Sequence, residues 1–174
     1  VSVRQSFSRP RQDNPAYAAM IESMDENIGR IMDALGRLGL EEDTLVVFLS
    51  DNGGLSTGSS PNMPTSNLPL RAGKAWVYEG GIRSPLIIRY PAKIKAGQRL
   101  HTPAVSTDIY PTILDLAGLP LRPEQHVDGV SLKPLLTDEA DGLDREARYF
   151  HFPHYHHINS MGPAGAVRMG DHKL

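Results

Sequence analysis

Thr44-Leu45-Val46-Val47-Phe48-Leu49-Ser50-Asp51-Asn52-Gly53-Gly54 is the stretch from which the fold is read. Leu45 through Leu49 are apolar without a break, so both faces of a strand here would be apolar, as in a central parallel strand rather than an alternating edge strand. The run stops at Asp51-Asn52-Gly53-Gly54, residues that favour a turn. Upstream, Asn14 suits an N-cap and Pro15 the first helical position. Met20, Ile21, Met24, Ile28, Ile31, Met32, Leu35 and Leu38 then recur in steps that keep one helical face apolar. Gly39 supplies a left-handed stop. A helix, a short turn and a doubly apolar strand make half of an α/β layered unit.

Working outward, residues 1–13 read as loop, and residues 55–73, rich in Ser, Gly, Pro, Asn and Thr, read as a long loop with little core material. A second strand is expected from Ser84 to Tyr90, closed by Pro91. Val105 is read as a short third strand before a helix over Asp108–Ala117. Ser106 or Thr107 would cap that helix, Pro111 fits its first turn, and Gly118 ends it. Leu132–Leu136 is read as a short helical turn and the charged segment 137–147 as a solvated linker. From Tyr149 the texture changes to aromatics, His and Pro. Two domains are therefore expected, residues 1–147 and residues 148–174, the second truncated. The chain starts at Val1 without Met, and Arg168–Lys173 reads like the middle of a strand, so a piece of a longer protein is expected.

Composition narrows the function classes. The chain has 174 residues, 40% apolar and 22% charged, which is globular composition. Eighteen Lys and Arg against 20 Asp and Glu give a net charge of −2, which argues against a general nucleic-acid surface. No apolar run approaches the roughly 18 residues of a membrane span. Cysteine is absent, so disulfides, thiolate metal sites and a cysteine nucleophile are all excluded.

Three groups of residues could carry chemistry. Asp51 and Asn52, at the end of a buried strand, offer hard oxygen donors suited to Ca²⁺ or Mg²⁺, or they simply make a turn. Calcium takes about 6–8 oxygens, so this pair would need further ligands. Lys74, after Gly73, could meet an oxyanion, or could be a surface lysine paired with Glu79. His151, His154, His156 and His157 cluster without convincing zinc spacing, and read as pocket-lining or exposed groups. No Gly-x-Ser-x-Gly elbow, Walker loop or Gly-x-Gly-x-x-Gly motif occurs.

Five segments in register resemble the formylglycine-dependent sulfatases of the alkaline phosphatase superfamily. They are Tyr17–Glu22 with Asp25 and Ile28-Gly29, Thr44–Gly53, Leu70–Lys74 with Glu79–Pro85, Asp108–Leu114, and Asp128–Leu132. His151–Tyr155 and Gly170–Leu174 are similar to the opening of that family's smaller C-terminal subdomain. The resemblance implies a partial α/β/α layered sandwich with a mostly parallel central sheet. It implies that Asp51 and Asn52 bind a divalent metal, calcium or else magnesium, and that Lys74 is catalytic and binds sulfate. A pocket containing His154, Tyr155 or His156 would suit a sugar, with His154 as the substrate-binding residue.

The family's nucleophile, a formylglycine made from a Cys/Ser-x-Pro-x-Arg motif, is absent: Ser6-Phe7-Ser8-Arg9-Pro10 has the wrong order. The expectation is a sulfatase fragment, inert alone, whose formylglycine lies upstream. Its partners would be a sulfated small molecule or glycan and the rest of its own polypeptide. The alternatives are a phosphodiesterase or phosphonate hydrolase of the same superfamily, and a non-catalytic sulfatase-like binding protein. Family habit implies a periplasmic, extracellular or lysosomal location.

Overall fold

The computed structural model describes residues 7–58, 60, 62–156 and 161–174. Residues 1–6 and His157 lie outside them. The chain is α/β and divides into two units, Val1–Asp33 with Phe48–Leu86 and Tyr149–Leu174, and Ala34–Val47 with Ile87–Arg148.

Helix α1 runs Pro15–Arg37, as the apolar spacing predicts. Asn14 caps it through its side-chain oxygen, which accepts the Tyr17 N–H at 3.1 Å. Gly39 follows with φ +66°, a conformation that costs a side chain about 1–2 kcal/mol and glycine nothing. No residue of α1 is buried, and Met20 and Ile31 are 68% and 61% exposed. The pattern thus specifies the helix, while the described residues cover its apolar face only in part, at half-buried Ile28, Met32 and Leu35.

Strand β2 (Val46–Leu49) pairs with β4 (Leu86–Arg89). Ser50 N–H donates to Pro85 O at 3.2 Å beyond one end, and Ala92 N–H to Glu42 O at 3.1 Å beyond the other. The two strands therefore run in opposite directions. Apolar side chains on both faces report what a strand is meant to be covered by, and carry no information about its direction.

In the first unit, β1 (Phe7–Ser8) pairs antiparallel with β3 (Thr57–Gly58), Ser8 opposite Thr57. The 55–73 loop is better buried than its composition predicts: Ser56, Thr57, Met63, Thr65 and Ser66 are all under 9% exposed. Small hydroxyl residues can be buried here because they bond locally, as in Thr65 Oγ1 to Gln12 Oε1 at 2.8 Å. Helix α2 (Glu79–Ile82) follows that loop. Near the C-terminus β5 (Ala147–Phe152), β6 (Ala164–Met169) and β7 (His172–Lys173) form a three-stranded sheet in that order. Gly170, at φ +54°, turns β6 back into β7, with Arg168 opposite Lys173. Arg168–Lys173 is thus a hairpin and not the middle of one strand.

The second unit carries the apolar core. Helix α3 (Ile109–Leu116) and helix α4 (Lys133–Leu136) bury Leu116, Leu132, Leu135 and Leu136, each burial worth about 1.5–3 kcal/mol. Pro111 sits in the first turn of α3 and is fully buried. Val105 is not in a strand; it leads into a 3-10 turn at Ser106–Asp108. The cap there is neither Ser106 nor Thr107. The Asp108 carboxylate accepts the Val105 N–H at 2.9 Å and the Val130 N–H at 3.1 Å.

The charged segment 137–147 is not simply a solvated linker. Arg145 makes a bidentate pair with Asp108, at 2.6 and 2.9 Å, with side chains 9% and 0% exposed. A buried carboxylate at the start of α3 needs a cation, and the planar guanidinium matches its two oxygens.

Candidate functional site

Asp51 and Asn52 sit directly after β2, in a turn held from behind by two serines. Ser50 Oγ donates to Asn52 O and Ser84 Oγ to Ser50 O, both at 2.8 Å. Asp51 is exposed and Asn52 half-buried. Among the described residues neither side chain is engaged in a hydrogen bond or ion pair, so the oxygens a hard cation would use are not committed elsewhere.

The loop carrying Lys74 is stitched onto this turn. Lys74 N–H donates to Gly54 O at 3.0 Å, and Gly53 N–H to Gly81 O at 2.9 Å. Asn67 is the rivet: its amide nitrogen reaches Gly54 O at 2.8 Å, Ser56 Oγ at 2.8 Å and Ala72 O at 3.1 Å. Position 73 admits no side chain, because a Cβ there would lie 2.4 Å from Gly54 O and 2.5 Å from Ser56 Oγ. Ala72 and Ala75, on either side of Gly73-Lys74, adopt φ of 63° and 69°. Two non-glycine residues in the left-handed region mark a loop whose shape is imposed by its surroundings. The structure therefore brings together two of the three candidate groups read from sequence.

Lys74 itself is exposed. The ion pairs of Glu79, the partner its alternative reading would use, run to the C-terminal hairpin. Glu79 is taken by Lys173 Nζ at 3.0 Å and Arg168 Nη1 at 3.4 Å. Beside this pair, Arg71 lies over the Tyr78 ring at 3.8 Å and Tyr78 stacks on Trp76 at 5.8 Å. The cation–π contact is worth about 0.5–1 kcal/mol and stiffens the loop between Lys74 and α2.

His154 is exposed and meets the Phe152 ring edge-on at 5.2 Å. No group of three His, Asp or Glu residues able to hold a metal occurs among the described residues. Asp51 and Asn52 thus fit a hard cation in donor type and fall short in number. Sequence reading missed Asn67, Ser50, Ser84, Arg168 and Lys173, because their roles depend on contacts between distant segments. Only the unusual density of Gly around Lys74 hinted at a tightly packed backbone.

These segments coincide with a known family. The sulfatase family matches residues 2–119, and a second family, described as N-sulphoglucosamine sulphohydrolase C-terminal, matches residues 72–174. The chain belongs to the sulfatase family. A sulfatase of Formosa agariphila is 38% identical over 164 residues, covering 87% of this chain and 29% of that protein. Human steryl-sulfatase is 38% identical over 145 residues, covering 82% of this chain and 25% of its own length. A solved structure bound to its substrate D-glucosamine-2-N,6-O-disulfate superposes with a TM-score of 0.72 at 32% identity. That match covers 88% of this chain and 29% of the other. This sulfatase-family chain therefore spans less than a third of the curated relatives it matches. No helix among its described residues is long and apolar enough to cross a membrane.

Proposed function

We propose that this chain is the later portion of a sulfatase acting on sulfated sugars, and that it supplies Lys74, Asp51 and Asn52 to a sulfate-ester site. The observation that carries this reading is the Lys74 N–H bond to Gly54 O, which ties an ammonium-bearing loop to a turn offering a carboxylate and a carboxamide. Family membership supports the reaction class. The sugar disulfate bound in a related structure supports the substrate class.

Each residue has a stated task. Asp51 and Asn52 hold part of a divalent cation's shell, with the remaining oxygens coming from outside these 174 residues. When bound, such a cation, calcium in this reading, draws charge from the sulfate oxygens. The Lys74 ammonium meets the same anionic head and stabilises the charge that builds as the ester bond breaks. Its Cα is fixed by the backbone bond to Gly54, so little reorganisation is needed during reaction. His154 offers an exposed imidazole, braced by Phe152, to a sugar hydroxyl or sulfate oxygen. The nucleophile, a formylglycine by family resemblance, belongs to the upstream part of the protein.

The test is hydrolysis of an aryl sulfate by the full-length protein. Lys74→Ala should lower kcat/KM by about 10²–10³, the scale of losing one well-placed charge donor, without altering the melting temperature. Unchanged turnover would remove Lys74 from the mechanism. The isolated 174-residue chain should neither turn over substrate nor bind calcium tightly in calorimetry. Tight binding by that chain would show that the ion site is complete within it.

A further inference from the structure

Glu79 opens α2, and α2 is wedged between both halves of the proposed site. Gly80 N–H donates to Arg71 O at 2.8 Å, and Gly81 O accepts the Gly53 N–H at 2.9 Å. The packing is at its limit: a Cβ on Gly80 would lie 2.2 Å from Ala72 O, and one on Gly81 2.5 Å from Gly73 O. Any shift of α2 must therefore move the Lys74 loop, the Asp51–Asn52 turn, or both.

The C-terminal hairpin grips the first residue of that helix. Lys173 Nζ bonds Glu79 Oε1 at 3.0 Å and Val77 O at 2.6 Å, and Arg168 Nη1 reaches Glu79 Oε2 at 3.4 Å. Glu79 is 29% exposed at its side chain, with Lys173 at 21% and Arg168 at 30%, so the cluster is shielded from full solvent screening. β6 and β7 present the two cations side by side, because Arg168 stands opposite Lys173 in the ladder. Two adjacent cations would repel each other, and Glu79 is the anion that lets them sit together.

We propose that Glu79 is a positioning residue for the sulfate-ester site: through its ion pairs with Lys173 and Arg168, the C-terminal hairpin holds α2, and α2 holds Lys74 and the Asp51–Asn52 turn. This rests on the functional reading given above. Glu79 does not touch substrate in this scheme. It acts only through the backbone of α2.

The experiment uses the full-length protein with Lys173→Met, Lys173→Arg and Glu79→Gln. Two quantities are measured: steady-state hydrolysis of an aryl sulfate, and hydrogen exchange at the amides of Gly53, Lys74 and Gly80. Lys173→Met and Glu79→Gln should each lower kcat per folded molecule by about tenfold, the order expected for a misplaced catalytic group. Exchange at the three amides should accelerate while the α3 amides keep wild-type protection. Lys173→Arg should restore both. Should Lys173→Met fail to fold, Glu79→Gln, which keeps the side-chain volume, decides alone. Wild-type kcat and exchange in the variants would overturn the proposal, as would a uniform loss of protection with kcat per folded molecule unchanged. If the wild-type protein does not hydrolyse sulfate esters but the three amides still respond, the sulfatase reading fails and the positioning role of Glu79 stands.

Discussion

The Lys74 N–H donates to the Gly54 carbonyl at 3.0 Å, and that bond joins two segments twenty residues apart into one site. It is one of a set in which Asn67, Gly73 and α2 all converge on the same few carbonyls. Lys74 is a flexible side chain on an inflexible backbone. That combination suits a charge which must follow a sulfate group through reaction while its anchor stays still.

Asn67 should prove the most sensitive polar residue of this loop. Asn67→Ala removes the two N–H donors shared among Gly54 O, Ser56 Oγ and Ala72 O, at about 0.5–1.5 kcal/mol each, while Gly54 O keeps the Lys74 N–H and Ala72 O keeps Ser56 Oγ. Urea denaturation of the full-length protein should show a lower midpoint with an unchanged slope. Gly73→Ala should be worse, because its Cβ must push the Gly54 carbonyl away. Wild-type stability in Gly73→Ala would mean that the two segments are not packed as described.

The Asp108–Arg145 pair gives a sharper contrast. Arg145→Met leaves a carboxylate with no exposed surface and no counter-charge, at a cost of about 3–5 kcal/mol. Asp108→Asn together with Arg145→Met removes the orphaned charge and should recover part of that loss. The remaining acceptor oxygen can still take a backbone N–H from Val105 or Val130. A double variant as unstable as Arg145→Met alone would contradict an electrostatic origin.

Asp115 sets a pH dependence. Burial pushes its carboxyl up, but the Ser131 hydroxyl at 2.7 Å and the Lys133 ammonium at 2.9 Å outweigh that, and hold it below the usual carboxylate range. A carboxyl depressed in the folded state contributes stability that is present above its unfolded value, about 3.9, and lost as pH falls through the folded value. Asp115→Asn should therefore lower the melting temperature at neutral pH, and the gap from wild type should close on acidification. Lys133 is raised by the same contact, so its share persists to well above neutral pH. A gap that stays constant into acid would dissociate the stability from this carboxylate.

Much of the fold was legible because local rules govern it. Asn14, Pro15 and Gly39 mark the ends of α1, and Gly118 stands at φ +72° just past α3, as the apolar spacing and stop residues imply. The errors fell where local preference is silent. Val105 reads as a strand from its own residue type, and the Asp108 carboxylate that takes its N–H makes it the start of a turn instead. Arg145 looked solvated because its neighbours are charged, and its burial follows from Asp108, 37 residues earlier.

The candidate site divides the same way. Asp51, Asn52 and Lys74 could be named from residue chemistry, since only carboxylates, carboxamides and cations can meet a metal or a sulfate. The residues that hold them, Asn67, Glu79, Arg168 and Lys173, could not. Each works by hydrogen bonds or ion pairs to partners between 5 and 96 residues away. Sequence by itself determined the two longest helices, the strands β2 and β4 and the chemically competent side chains, because propensity and donor type are properties of single residues and short windows. Tertiary structure alone decided which of those side chains share a site, because shared position is set by long-range bonds that no short window contains.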